Sequence, residues 1–242
     1  MAGTGRGAGV GRALLRVGTH TATHVAPAAM SGLVHQILER AVSGAGPVKG
    51  AAAWGDQLLA NREGRADAAI RDAVAITSSL AGAQGFLTGL GGALTAVVSL
   101  PANVLGLATL QVRLAATIAH VHGYDLDDDR VRLAVLVSLL SEHELAAQIR
   151  TGKLPTNALG LATAPVYDPA LFATVSEVLS GALVSRVGGK RMALAVARRV
   201  PVLGGVVGAG LDAAGTWYVA NGVRAHLPAR RREIPRDTAA DS

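Results

Sequence analysis

One long uncharged stretch dominates the pattern of apolar and polar positions. Forty consecutive residues, Ala73 to Val112, carry no charged side chain, and six of them are glycine. A membrane-crossing helix needs only about 20 apolar residues, so the stretch has room for two helices. Gly89-Leu-Gly-Gly92 weakens a single continuous helix, because each helical glycine costs about 1 kcal/mol relative to alanine. The pattern therefore predicts a glycine-rich helical hairpin.

The positions around the hairpin predict further helices. Before it, we expect helices over about Ser31–Val42 and Ala51–Ala60, and a third that starts near Arg65. Within it, Ser99-Leu-Pro101 resembles an N-cap followed by a first-turn proline, and Gly123 is placed to end the helix that follows.

Acidic residues and prolines mark the later helices. Asp127 or Asp128 is predicted to open one helix, and Asp168-Pro169 opens another that reaches about Val184. A helix is also expected over Lys190–Arg199, and Pro201 begins an apolar, glycine-rich segment that continues to Val223.

These elements predict a single all-α domain over about residues 31–225. In this fold the glycine-rich apolar hairpin packs against a second glycine-rich helix near the C-terminus. Residues 1–30 are expected to form a flexible basic leader, and residues 226–242 a disordered basic tail.

Small residues recur every four positions in the apolar segments, which lets helix backbones approach closely. One row is Ala73, Thr77, Ala81, Gly85, Gly89 and Ala93, and Gly205, Ala209 and Ala213 form another. The candidates for helix packing or membrane contact are Gly85, Gly89, Gly91, Gly92, Pro101, Gly204 and Gly208.

Two charges bound or interrupt the apolar segments. Arg113 follows the uncharged stretch directly, and Asp212 is the one charged residue between Val202 and Val223. Because an unpaired buried charge is costly, we expect Arg113 and Asp212 to face the interior or each other.

The uncharged stretch does not decide whether the chain crosses a membrane, lies on its surface or is soluble. The leucines and valines of Ala93–Val112 favour insertion by roughly 4 kcal/mol, but Pro101, Asn103, Gln111 and the hydroxyls oppose it by a similar amount. Spanning, shallow association and burial inside a soluble protein all remain as interpretations.

Composition limits the function further. The chain has 242 residues, a net charge of +6, no cysteine and only 3% aromatic residues. The absence of cysteine excludes disulfides and thiolate catalysis, and the basic residues do not alternate with aromatics as in nucleic-acid binding surfaces. The first thirty residues lack the apolar core of a secretory signal.

Motifs for catalysis, metals and cofactors are incomplete. His143-Glu144 would need a second histidine at position 147, where alanine stands. Asp125, Asp127 and Asp129 resemble the start of a calcium loop, but its required glycine and glutamate are replaced by Arg130 and Leu136. We therefore assign no catalytic residue, no metal and no cofactor.

Several ordered motifs nevertheless resemble the EcsC protein family over about residues 50–225. They are Gly85-Phe-Leu-Thr-Gly-Leu-Gly-Gly92, Leu100-Pro-Ala-Asn103, Gln111-Val-Arg113, Ile118-Ala-His-Val-His-Gly-Tyr-Asp125 and Val200-Pro-Val-Leu-Gly-Gly-Val-Val-Gly-Ala-Gly-Leu-Asp212. The resemblance implies a bacterial helical protein linked to a membrane, since the family is named after a protein encoded beside ABC transporter subunits.

Three functional hypotheses follow. The first is a non-enzymatic accessory protein at the cytoplasmic face of the cell membrane, whose hairpin contacts lipid or a membrane protein such as an ABC transporter subunit. The second is a soluble hydrolase with a site near His120 and Asp125. The third is a soluble helical module that binds an apolar ligand.

Overall fold

The architecture is all-α, as the sequence predicts. A computed structural model describes residues 27–90, 92–182 and 201–230, with the backbone alone for residues 27–30, 87–104 and 201–208. The predicted helix over Lys190–Arg199, residues 1–26 and the tail beyond Arg230 lie outside the described residues.

The described residues form nine helical segments and one short hairpin. The helices are α1 Pro27–Ser43, α2 Ala51–Asn61, α3 Ala66–Leu90, α4 Gly92–Val121, α5 Asp129–Val137, α6 Glu142–Arg150, α7 Ala158–Ala162, α8 over 170–182 and α9 Pro201–His226. Strands β1 (Gly44–Ala45) and β2 (Val48–Lys49) pair antiparallel, with Gly44 opposite Lys49.

Three long helices form the centre of the fold. The predicted hairpin is α3 with α4, and α9 packs on both of them, most extensively on α3. Helices α1 and α2 cover the C-terminal half of α4, where Leu114, Ile118 and their neighbours are fully buried. The domain therefore has a wide hydrophobic base, from which one end of the three-helix bundle extends.

Several helices begin or end at the capping residues that the sequence predicts. Asp128 is the N-cap of α5, and its carboxylate accepts a hydrogen bond from the backbone N–H of Arg130 at 2.8 Å. Gly123 ends α4 with a φ of +89°, and the N–H of Tyr124 donates to the carbonyl of Ala119 at 3.0 Å. Such left-handed helix stops favour glycine, which lacks a Cβ.

The predicted helix start at Ser99 is wrong. Helix α4 begins at Gly92 and continues through Pro101 to Val121. A proline inside a helix removes one backbone hydrogen bond and costs about 3 kcal/mol. Packing of α4 against α3 and α9 outweighs that cost, so the proline signal does not mark a helix start here.

The ordered domain extends further towards the C-terminus than residue 225. Helix α9 ends at His226, and Leu227 is fully buried. The hydroxyl of Tyr124 donates to the carbonyl of Pro228 at 3.0 Å, and the N–H of Arg230 donates to the carbonyl of His122 at 2.9 Å. Residues 227–230 thus tie the end of α9 to the turn after α4.

Candidate functional site

The small-residue row on α3 is a buried contact face. Ala73, Thr77, Ala81 and Gly85 are all buried, with Ala73 and Ala81 having no solvent exposure. The spacing of four residues keeps these positions on one side of the helix for about three turns. This row, called the small-residue ridge below, allows the long helices to pack closely.

Helix α9 runs antiparallel to α3. At one end of the contact, Arg224 pairs with Asp67 at 2.9 Å. Towards the other end, a Cβ placed on Gly82 would lie 3.6 Å from the carbonyl oxygen of Ala209 and 3.9 Å from the Cβ of Ala213. Ala209 and Ala213, which belong to the predicted small-residue row on α9, therefore contact α3 at Gly82.

One end of the bundle is almost free of charge. It comprises residues 73–90, 92–112 and 201–223, and is called the apolar half below. Asp212 is the one charged residue in these ranges, and it is only 3% exposed. In this half the bundle therefore presents no charged side chain from α3, α4 or α9 to its surroundings where the structure describes side chains.

Three hydroxyl groups in the apolar half bond to their own helices. Ser79 donates to the carbonyl of Ala75 at 2.9 Å. Thr109 donates to Leu105, and Thr216 to Asp212, both at 2.8 Å. The hydroxyl of Ser78 is buried without a hydrogen-bond partner among the described residues, so the polar groups of this half are satisfied within their helices only in part.

Large apolar side chains are exposed on the same half. They are Ile76, Leu80 and Phe86 on α3, and Leu211 on α9, each between 38% and 49% exposed. A surface that groups uncharged and apolar residues in this way commonly marks a contact with a membrane or another protein.

Two exposed aromatic residues lie at the border of the apolar half. Trp217 is 60% exposed and Tyr218 is 55% exposed. A Cβ on Gly215 would lie 3.8 Å from the Nε2 atom of Gln111, so this part of α9 is level with the last uncharged residues of α4. Tryptophan and tyrosine favour the boundary between lipid and water.

The sequence pattern alone does not single out this aromatic pair. The sequence does contain a signal for the pair, because two of the few aromatic residues directly follow the glycine-rich segment of α9. Their significance depends on the pairing of α9 with α3 and α4, which the sequence pattern does not give.

The candidate glycines lie along the three helices of the bundle. Gly85 belongs to the buried ridge. Gly89 lies in the last turn of α3, Gly92 opens α4, and Gly204 and Gly208 lie in the first turns of α9. Gly91 lies outside the described residues, and the role of these glycines in membrane contact stays a prediction.

Asp212 is buried, and Arg113 is partly buried. The guanidinium of Arg113 lies over the Trp54 ring, 4.2 Å from its centroid. Its Nε is buried without a hydrogen-bond partner among the described residues, and burial lowers the pKa of Arg113. Stacking on an aromatic ring partly compensates the charge, and pairing of Arg113 with Asp212 stays a prediction.

The residues of the hydrolase hypothesis have separate partners. His120 Nε2 lies 2.7 Å from a carboxylate oxygen of Asp56. Asp125 accepts a hydrogen bond from the backbone N–H of Asp127 at 2.9 Å, as in an ordinary turn. No hydrogen bond joins His120 to Asp125, and the described ranges contain no group of three or more residues suited to a metal ion.

The described core offers little room for an apolar ligand. A cavity of about 20 Å³ lies between α1 and α4, beside Val34, Ile37 and Val112. A cavity of this size has room for about one water molecule, so it is too small for a lipid or steroid.

Comparison with protein families, with curated proteins and with solved structures gives no match. The resemblance to EcsC therefore rests on the motifs alone. Among the residues that the structure describes, no helix combines the length and apolarity needed to cross a membrane.

Proposed function

We propose that the chain is a non-enzymatic accessory protein that binds a membrane surface through its apolar half. The observation that carries the proposal is the position of Trp217 and Tyr218, at the border where exposed charges begin. In this orientation the aromatic pair lies among the lipid headgroups, and the ends of α3, α4 and α9 enter the bilayer.

The length of the apolar half suits a re-entrant wedge. Trp217 lies 16 residues after Pro201, and a rise of about 1.5 Å per residue makes this roughly 24 Å along α9. This distance exceeds one leaflet but falls short of the hydrocarbon core of about 30 Å. The wedge therefore enters the bilayer without crossing it.

Burial of the exposed apolar side chains supplies the driving force. Full burial of a large apolar side chain is worth about 1.5–3 kcal/mol. Because Ile76, Leu80, Phe86, Leu211, Trp217 and Tyr218 are already about half covered, we expect roughly 1 kcal/mol from each. The total of about 6 kcal/mol supports reversible binding to a surface.

The basic segment before α9 limits how deeply the apolar half can enter. Residues 183–200 carry five basic side chains and no acidic one, and this segment leads directly into Pro201 at the apolar end. Because a charge inside a bilayer costs roughly 2.5 kcal/mol or more, these side chains must reach the headgroups, so the apolar half enters at an oblique angle. At an anionic surface each such residue contributes about 1 kcal/mol, and we therefore propose the anionic cytoplasmic leaflet as the target.

Flotation of the full chain with protein-free vesicles tests this function. We expect binding to vesicles that contain anionic phosphatidylglycerol, and a reduction of at least tenfold in Leu80→Asp, because a charge inside a bilayer costs roughly 2.5 kcal/mol or more. Leu159→Asp is the matched control, since Leu159 is also an exposed leucine, at 37% against 49% for Leu80, but lies on α7.

Equal binding of the Leu80→Asp and Leu159→Asp variants would contradict the proposal. Absence of binding by the unmodified chain would also contradict it, and would favour a membrane protein, such as the transporter subunits that the EcsC resemblance suggests. The hydrolase hypothesis stays separate and is tested by the turnover of Asp125→Asn and His120→Ala.

A further inference from the structure

A second cavity lies away from the apolar half, and its lining combines aromatic rings with carboxylates. It has a volume of about 320 Å³ and is lined by His35, Glu39, Asp129, Arg132, Tyr167 and Phe172. This is the lower end of the range of about 300–1,000 Å³ that is typical of small-molecule sites. The cavity can therefore take a ligand of a few heavy atoms.

The one guanidinium in the lining is held by protein groups. Arg132 donates to Glu39 at 3.0 Å through Nη1 and to the carbonyl of Leu126 at 2.6 Å through Nε. Its Nη2 lies 3.8 Å from a carboxylate oxygen of Asp127. Arg132 thus has little capacity left to bind an anionic ligand.

The carboxylate of Asp129 is available in the same cavity. Asp129 forms no side-chain hydrogen bond or ion pair with the residues that the structure describes. Burial raises the pKa of the Tyr167 hydroxyl, and the nearby charges of Asp129 and Asp168 raise it further. The exposed carboxylate of Asp129 therefore acts on the hydroxyl of Tyr167 at this cavity.

Aromatic rings complete the lining. The rings of His35 and Phe172 meet edge to face, with their centroids 5.7 Å apart, and Tyr167 lines the same space. A cation over the face of an aromatic ring is attracted by the negative charge of the ring's π-electrons. Rings beside a free carboxylate are the combination that recognises an organic ammonium group, whereas a divalent metal would need more oxygen ligands.

We propose that this cavity binds a small organic ammonium ion. Asp129 supplies the counter-charge, Phe172 and Tyr167 supply aromatic faces, and the Arg132–Glu39 pair holds α5 against α1 beside the ligand. Asp129 opens the helix that follows the C-terminal end of α4, opposite the apolar end. The ligand therefore comes from solution, not from a lipid headgroup.

Calorimetric titration of the full chain with choline tests the proposal. The matched probe is 3,3-dimethyl-1-butanol, which has nearly the shape of choline but no charge. We expect saturable choline binding and at least tenfold weaker binding of the alcohol. Phe172→Leu should weaken choline binding by about five- to tenfold and Asp129→Asn, at an exposed position, by about two- to fivefold, whereas Glu177→Gln, an exposed change on α8, should not.

Circular dichroism of each variant verifies that the fold is kept. Equal affinity for choline and the alcohol, no binding of choline, or unchanged affinity in both Asp129→Asn and Phe172→Leu would overturn the site. Excess choline should leave flotation with phosphatidylcholine-containing vesicles unchanged, and displacement of the protein would overturn the assignment of the ligand to solution.

Discussion

Substitution of Ala81 by leucine tests the close packing of the three long helices. Ala81 has no solvent exposure and lies in the middle of the small-residue ridge on α3. Leucine adds three carbon atoms at a position with no solvent exposure, and overpacking of this kind costs about 1–3 kcal/mol. Because alanine and leucine have similar helix propensities, nearly all of the loss should come from packing.

The assay is thermal unfolding followed by circular dichroism. For a domain of this size, 1 kcal/mol lowers Tm by about 2–4 °C, so Ala81→Leu should lower it by roughly 2–12 °C. Ala83→Leu makes the same change two residues away at an exposed position of α3, and its Tm should stay within about 2 °C of the unmodified chain. Equal Tm values for the two variants would refute a close-packed ridge.

Three further changes test the ends of the helices by urea unfolding. Asp128→Ala should lower the free energy of unfolding by about 1 kcal/mol at pH 7 through loss of the N-cap. The hydrogen bond from the Arg130 side chain lowers the pKa of Asp128. The charge therefore stabilises the fold above the unfolded pKa of about 3.9 and ceases to do so as pH falls through the lower folded value. The difference from the unmodified chain should narrow near pH ~2, and a constant difference would contradict this. Gly123→Ala should cost about 1 kcal/mol, because its φ of +89° disfavours a Cβ. Leu227→Ala should cost about 2–5 kcal/mol, since Leu227 is fully buried, and a loss below about 1 kcal/mol would show that residues 227–230 are not part of the folded domain.

Signals that act within one or two helical turns predicted the fold best. The N-cap at Asp128 and the stop at Gly123 follow from local backbone chemistry, and the structure confirms both. The buried face of α3 follows from the spacing of small residues. In each case the residue and its effect lie within a few positions of each other.

Features that depend on distant parts of the chain could not be predicted in the same way. Pro101 has the local signature of a first-turn residue, but tertiary packing keeps it inside α4. The stacking of Arg113 on Trp54 joins residues far apart in sequence. The border formed by Trp217 and Tyr218 likewise exists only after α9 has packed beside α3 and α4.

The fluorescence of single-tryptophan variants with brominated lipid tests the central claim most directly. The chain has two tryptophans: Trp217 is exposed at the border of the apolar half, and Trp54 stacks with Arg113 at nearly the same level of the bundle. In vesicles with brominated acyl chains, Trp54→Phe, which keeps Trp217, should be strongly quenched, whereas the variant Trp54→Phe/Trp217→Phe/Leu159→Trp, whose one tryptophan lies on α7, should keep its emission. Equal quenching of the two variants, or none in either, would contradict membrane binding through the apolar half.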